Sequence, residues 1–473
     1  MFIGQNLPFV NTFVEELNAS LQRISPSAGM SRIQKGWLSF CLLAIVVTHS
    51  VCWKRFERAS LGQRSHASLS WMFRQNQAFW QFVLRASVWV IVERYGITEG
   101  VLVVDDTDKK RSKRTQRIYK VHKLKDKSSG GFMYGQSLVF LLLVTDTVTL
   151  PVGVEFSMPD PALSAWARED KRLRKQGVKK KQRPGKPAPN PDYPTQREIA
   201  LNLLKAFDAA FEEIRIRCVL ADNVYATQTF VDEASALFGG VQVISRLRKN
   251  QNVRMRGKTL SLTTFSKRYP GIAESLCLRG GERVNVYLRS ARIYVSAHGK
   301  KRLVIALRYE GEQEYRYLVA SDMSWRSLDI AQAHSLRWLV EVFIQDWKQY
   351  EGFGQLTKQL DEEGSRRSLS LSLLCDHCLL LHPAQLARIE DKLPACTVGS
   401  LRASVQVESL IEFMTGVIVS DNPQEQLALV ASQAQQVFRL NDSSKHMVGR
   451  DLGRLEPTPA LKHRVRNMLL KAA

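Results

Sequence analysis

Two short aliphatic runs that each end in acid, VLVVDD at residues 101–106 and IRCVLAD at 216–222, constrain the fold of this chain more than any other feature. Such runs read as strands, and they set a sheet under everything around them. QSLVFLLLVTD (136–146) and TVTLPVGVEF (147–156) follow the first closely enough to pair with it as neighbours. A helix, TQREIALNLLKAFDAAFEEI (195–214), opens on the capping-box pair Thr195 and Glu198 before the second run. Another, TFVDEASALF (229–238), precedes the strand VQVISRLR (241–248). Three neighbouring strands, then helix, strand, helix, strand, predict an α/β fold with helices packed on the faces of a mixed sheet.

The same texture divides the chain. Residues 1–97 read as helical, with Phe9, Phe13, Leu17 and Leu21 recurring at helical steps. Residues 98–248 form the first part of the core, and 249–323 read as a β-rich insertion on alternating runs such as VNVYLRSARIYVSA. A helix over 328–350, within a segment 324–352, resumes the core, and 353–473 read as mainly helical. Residues 37–53 carry no formal charge, but Ser39, Thr48, His49 and Ser50 interrupt them, which predicts a buried helix and no membrane span. Seven cysteines without regular spacing, and an N-terminus without a basic and apolar leader pattern, point to a reducing cytoplasm.

Charge narrows the partner. The 473 residues hold 68 Lys/Arg against 45 Asp/Glu, a formal +23. Residues 109–127 (KKRSKRTQRIYKVHKLKDK) hold ten bases and one acid, and 168–186 (REDKRLRKQGVKKKQRPGK) ten and two, so two runs carry +17. Like charge concentrated in this way repels itself, and a polyanion relieves it, with double-stranded DNA the leading partner. Lys109, Lys110 and Arg111 in the first run and Lys179, Lys180 and Lys181 in the second are the expected DNA contacts, and the second run with the Pro-rich piece after it (184–194) is expected as an exposed loop. Lys54, Arg55, Arg58, Arg64 and Arg74 suit a DNA-binding helix-turn-helix in the N-terminal region. Neither an amphipathic basic helix nor a lipidation signal supports a membrane partner. RGKT at 256–259 has Asn252 where a phosphate loop needs glycine, so no nucleotide cofactor is expected, and Cys375-x-x-Cys378 lacks a second ligand pair for zinc.

The strand-end acids Asp105/Asp106 and Asp222 sit where ligands gather in sheets with helical crossovers, although each alone also reads as a turn residue or a cap. On the helix that resumes the core, His334, Arg337, Glu341 and Lys348 fall within about 60° of one another at 100° per residue, beside an apolar stripe of Leu336, Val340, Phe343 and Trp347. Arg337 and Glu341 also suit a simple surface ion pair.

His334-(2)-Arg337-(3)-Glu341-(6)-Lys348, together with VVDDTD, ADNVYA and the β-rich insertion, resembles the DDE transposases of the insertion sequence 4 type, whose signature is Y-(2)-R-(3)-E-(6)-K. The resemblance covers residues 98–352. It implies an RNase H-like core in which Asp106, Asp222 and Glu341 bind two Mg²⁺ ions, with Mn²⁺ as a substitute, and catalyse phosphoryl transfer. Asp106 is preferred to the adjoining Asp105 because Thr107 follows it as in the relatives. Arg337 and Lys348 would contact DNA phosphates, and His334 stands in the place of the usual Tyr. The implied function is cut-and-paste transposition: binding of terminal inverted repeats and target DNA, a homodimer in the synaptic complex with the C-terminal region as its contact, and a bacterial, nucleoid-associated setting. A nuclease without strand transfer, or a DNA-binding protein with an inactive core, is the alternative.

Overall fold

The computed structural model describes residues 2–75, 77–126, 130–438, 463–464 and 466–468. Five helices come first: α1 (Pro8–Ile24), α2 (Arg32–Thr48), α3 (Trp53–Ala59), α4 (His66–Arg74) and α5 (Val83–Tyr95). Then follow β1 (Glu99–Lys110), β2 (His122–Lys125), β3 (Phe132–Val144), β4 (Thr149–Ser157), α6 (Pro161–Lys175), α7 (Gln196–Ala210), β5 (Arg215–Ala221), α8 (Gln228–Leu237) and β6 (Gln242–Leu247). The insertion supplies β7 (Asn252–Met255), β8 (Lys258–Ser261), α9 (Leu262–Arg268), β9 (Ile272–Cys277), β10 (Arg283–Val295), β11 (Lys300–Tyr309) and β12 (Arg316–Ala320). The chain continues through α10 (Ser327–Ser335), α11 (Trp338–Gln349), α12 (Glu362–Leu380), α13 (Pro383–Glu390), α14 (Val398–Ile418) and α15 (Pro423–Val437). Most of the C-terminal region beyond 438 lies outside the described residues.

Val101 to Val104 are buried at the centre of one sheet ordered β2-β3-β1-β5-β6-β12-β11-β10-β7-β8, with β4 also on β3 and β9 on β10. β5 runs parallel to both β1 and β6, and the remaining pairs are antiparallel. The unit β4-β3-β1-β5-β6, three antiparallel strands followed by two parallel ones with helical crossovers, is the RNase H-like core. The insertion continues the same sheet, because β12 pairs directly with β6.

α10 and α11 cover one face: Phe343 and Trp347 pack on Phe140, with centroids 6.1 and 4.9 Å apart. α7 covers the other face, seating Leu203 over Gly153. The helical N-terminal region is joined to the core through α12, and a single hydrophobic cluster runs from α1 and α2 through the sheet to α12. The uncharged stretch after Trp37 is interior, buried from Trp37 to Val47, and among the described residues no helix is long and apolar enough to cross a membrane. In α12 the imidazole of His377 is hydrogen-bonded to Ser87 Oγ (2.7 Å) and the Pro151 carbonyl (3.0 Å), so the CxxC segment around it is packing.

Two local expectations change. The second basic run begins as helix: Asp160 caps α6 through the backbone N–H of Ala162 (2.8 Å), Pro161 starts it, and Arg172, Arg174 and Lys175 lie at the negative end of its dipole. None of its residues is buried, which is why its polar sequence reads as loop. The helix expected over 328–350 divides at Arg337. There the backbone switches to i→i−3 bonds, from Arg337 N–H to the His334 carbonyl and from Val340 N–H to the Arg337 carbonyl.

Candidate active site

Register sets the geometry. Val104 of β1 pairs with Ala221 of β5, and Ala221 with Ser245 of β6. The next step along these three strands brings Asp105, Asp222 and Arg246 side by side. Side chains alternate along a strand, so Asp105, Thr107 and Lys109 share one face and Asp106 belongs to the other. Phe140, opposite Asp105 in β3, is the ring on which α11 docks, so the Asp105 face is the one that α11 covers.

α11 is held tightly there. Trp347 is fully buried, and Phe353 stacks on it at 3.7 Å. Gly354 follows because a Cβ at that position would run into the Lys348 carbonyl. The apolar stripe therefore fixes Glu341 and Lys348 above the strand ends. The resulting cavity, about 490 Å³, is lined by Asp105, Asp106, Asp222 and Glu341 among Arg246, Arg337 and Lys348.

Asp105, Asp222 and Glu341 each have a basic neighbour. Arg337 donates from Nη1 to Asp105 Oδ2 at 2.9 Å and from Nη2 to Glu341 Oε1, joining strand to helix. Arg246 stands 4.0 Å from Asp222, and Lys348 Nζ donates to Thr107 Oγ1 at 2.5 Å. Burial pushes the Asp105 carboxyl up to about 6; the Asp106 backbone N–H and Arg337 oppose the shift, and the charges of Asp106 and Asp222 add to it. Burial also raises the phenol of Tyr225, with Asp106 the largest of three acidic contributors.

Hard carboxylate oxygens of this kind suit a divalent cation such as Mg²⁺. The spacing in this state does not close a ligand sphere: among the described residues no three His, Cys, Asp or Glu side chains stand close enough to hold one ion together. The guanidinium of Arg337 takes positive charge to Asp105 and Glu341 instead.

Two of the expected DNA contacts on β1 and just after it, Lys109 and Arg111, face inward. Lys109 donates to the Gly354 carbonyl and lies 5.4 Å from the Phe353 ring centroid, and burial pushes its amine down to about 7. Lys110 pairs with Asp126 at 2.9 Å, and Arg111 donates to the Leu356 carbonyl at 2.7 Å. Lys109 and Arg111 tie the end of β1 to the segment that follows α11, whereas Lys110 is exposed on the other side of the strand, an alternation the charge count could not reveal. Lys179, Lys180 and Lys181 are exposed in the turn after α6. His334 is buried, its Nε2 has no hydrogen-bond partner among the described residues, and burial with Arg337, Arg246 and Arg316 nearby pushes the imidazole down to about 3. It is a neutral ring at neutral pH. It lines a second cavity of about 350 Å³ with Arg316 and Trp338. Arg246 was not singled out by the sequence; its position at the end of a strand parallel to that of Asp222 is the signal that marks it.

Residues 54–269, just under half of the chain, match the family described as DDE superfamily endonuclease. The match spans the strands of Asp105, Asp106 and Asp222 and ends before Glu341. It supports a DDE-type nuclease or transposase superfamily, whose members act on DNA and generally use divalent metal ions. No curated protein matches the chain. Among solved structures the crystal structure of the NurA nuclease from Sulfolobus solfataricus aligns at 9% identity over 50% of this chain and 72% of that one, with a TM-score of 0.21, too distant to inform the site.

Proposed function

We propose, from this likeness to DDE superfamily endonucleases, that the chain is a transposase of the insertion sequence 4 type which cuts DNA at the terminal inverted repeats of a mobile element and joins the freed ends to target DNA. One observation carries the reading: the parallel register of β1 and β5 sets Asp105 beside Asp222 on the face where α11 holds Glu341. Asp105 is therefore taken in place of Asp106 as the first carboxylate of the proposed triad, with Asp106 an acidic neighbour that also lines the cavity.

The reaction is two in-line displacements at phosphorus. Water attacks the phosphodiester, the bond to the 3′ oxygen breaks and that oxygen takes a proton; the 3′ hydroxyl then attacks a target phosphodiester, its oxygen bonding to phosphorus as the target's own bond from phosphorus to the 3′ oxygen breaks and that leaving oxygen takes the proton. Asp105, Asp222 and Glu341 would hold two Mg²⁺ or Mn²⁺ ions, which activate the attacking oxygen and stabilise the leaving one when bound. Arg246 and Lys348 offset the negative charge of the acids and take phosphate oxygens, and Arg337 releases Asp105 and Glu341 as DNA enters. The exposed Lys179, Lys180 and Lys181 grip the backbone beyond the cavity. Residues 1–97 read the ends, 98–248 and 324–352 form the core around the insertion at 249–323, and 353–473 join two copies in the synaptic complex. The setting is the nucleoid of a bacterial cytoplasm.

The test compares Asp105→Asn, Asp106→Asn, Asp222→Asn and Glu341→Gln on a plasmid bearing the element's ends, which the nucleotides flanking the gene identify. Cleavage should vanish in the first, third and fourth while end binding persists. Full cutting by Glu341→Gln removes it from the mechanism, and loss in Asp106→Asn alone returns the first position to that residue. Joining of pre-cut ends to a target plasmid distinguishes a transposase from a nuclease. The double pairing of Arg337 favours a second reading, an inactive DNA-binding core, and that reading wins if binding persists without cleavage at every Mg²⁺ and Mn²⁺ concentration.

A further inference from the structure

Helix α11 faces two cavities. Glu341, Ile344, Gln345 and Lys348 line the carboxylate cavity, whereas Leu339, Val342, Phe343 and Asp346 line another of about 270 Å³. Each set follows the i, i+3, i+4, i+7 spacing of one helix face, and an offset of two residues at about 100° each turns the two faces nearly back to back. The second cavity is closed by α12, α14 and the turn into β4, and the proposed reaction has no use for it.

Its walls are mainly apolar, yet acids stand in them. Asp376 of α12 lines the cavity at 7% exposure, and its Oδ2 has no hydrogen-bond donor among the described residues. Beside it Glu351 is fully buried, and neither of its carboxyl oxygens meets a donor group. The two carboxyls face each other, a contact that only a shared proton makes attractive. Asp346 lies close enough for its charge to act on both, after the larger effect of burial. Among the described residues none of the three acids is ion-paired. Arg279, a cation in the wall, donates instead to the Asp146 carbonyl at 3.3 Å and to Thr149 Oγ1 at 3.5 Å. Buried carboxyls in this condition are stabilised by a cation that reaches them. A hydrated metal ion does not suit apolar walls, and among the described residues no three His, Cys, Asp or Glu side chains gather closely enough to hold one. A primary ammonium brings three N–H donors on a compact charge, and an alkyl tail on it would lie along Val342, Leu379 and Leu401.

We infer that this cavity behind α11 binds a small primary alkylamine as its ammonium ion, the charged head on Asp376 and Asp346 and the alkyl chain along the apolar walls. The proton shared by Glu351 and Asp376 passes to solvent as the ammonium takes its place. The test is isothermal titration calorimetry of the full-length protein with methyl-, propyl- and n-butylammonium chloride at constant chloride concentration. The formal +23 of the chain repels free cations, so saturable binding of one reads a local site. Each added methylene should tighten binding roughly fourfold, the gain for burying one CH₂ group. Asp376→Asn and Asp346→Asn should each weaken n-butylammonium binding at least ~10-fold, as loss of a charged hydrogen-bond partner does. Val398→Phe, which fills the cavity and keeps every acid, should abolish it. Tetramethylammonium carries the charge without N–H donors and should not bind. The inference is overturned if the parent shows no saturable binding, if affinity is equal along the series, or if binding survives Val398→Phe. Tighter binding of Nα-acetyl-lysine amide than of n-butylammonium would assign the cavity to a lysine of a protein partner and overturn the small amine.

Discussion

Lys109 distinguishes a structural lysine from a DNA contact. Its amine is pushed from 10.5 down to about 7, first by burial and then by Arg111 and Lys348. The unfolded chain keeps this proton to about pH 10.5, whereas the folded chain releases it near 7, so the unfolded state binds more protons in between and stability rises with pH across that window. That displacement from 10.5 to about 7 corresponds to roughly 5 kcal/mol. That is a ceiling, because the hydrogen bond to the Gly354 carbonyl favours the ammonium and works against the shift. Lys109→Met removes the charge and also that bond, which is worth about 1–3 kcal/mol to a charged donor. The variant should therefore be more stable than the parent by about 2–4 kcal/mol at pH 7, and the advantage should shrink toward pH 10. Urea unfolding at pH 7, 8.5 and 10 measures it. A variant less stable at pH 7, or a parent whose stability is flat from pH 7 to 10, would refute the linkage. A salt slope for DNA binding that falls by roughly 0.9 in the variant would return Lys109 to the DNA surface.

Trp347→Ala should cost about 3–5 kcal/mol, the range for emptying a buried aromatic site, and should abolish any cleavage because α11 loses its seat; a loss below about 1 kcal/mol in chemical denaturation would show that the stack does not hold the helix. Glu351 and Asp376 are buried against each other and burial raises both carboxyls, so the stability they confer is complete below the ordinary carboxylate range and is lost as pH rises through the raised values. Asp376→Asn should flatten that loss. Melting temperatures from pH 5 to 9 that fall in parallel for variant and parent would exclude the pair as its source.

Local periodicity and composition make legible the strands, their acidic ends, the helical segment that carries Glu341 and Lys348 and the β-rich character of the insertion. The preference for Asp105 over Asp106 proposed above rests on tertiary structure. Adjacent residues of a strand face opposite ways, and which face is useful depends on the register with β5, more than 100 residues later, and on the side that α11 covers. The same non-local choice turned Lys109 and Arg111 inward and buried His334 at the break before α11. Counting charge along a chain fixes its sum; the direction of each charge is set by the neighbouring strand.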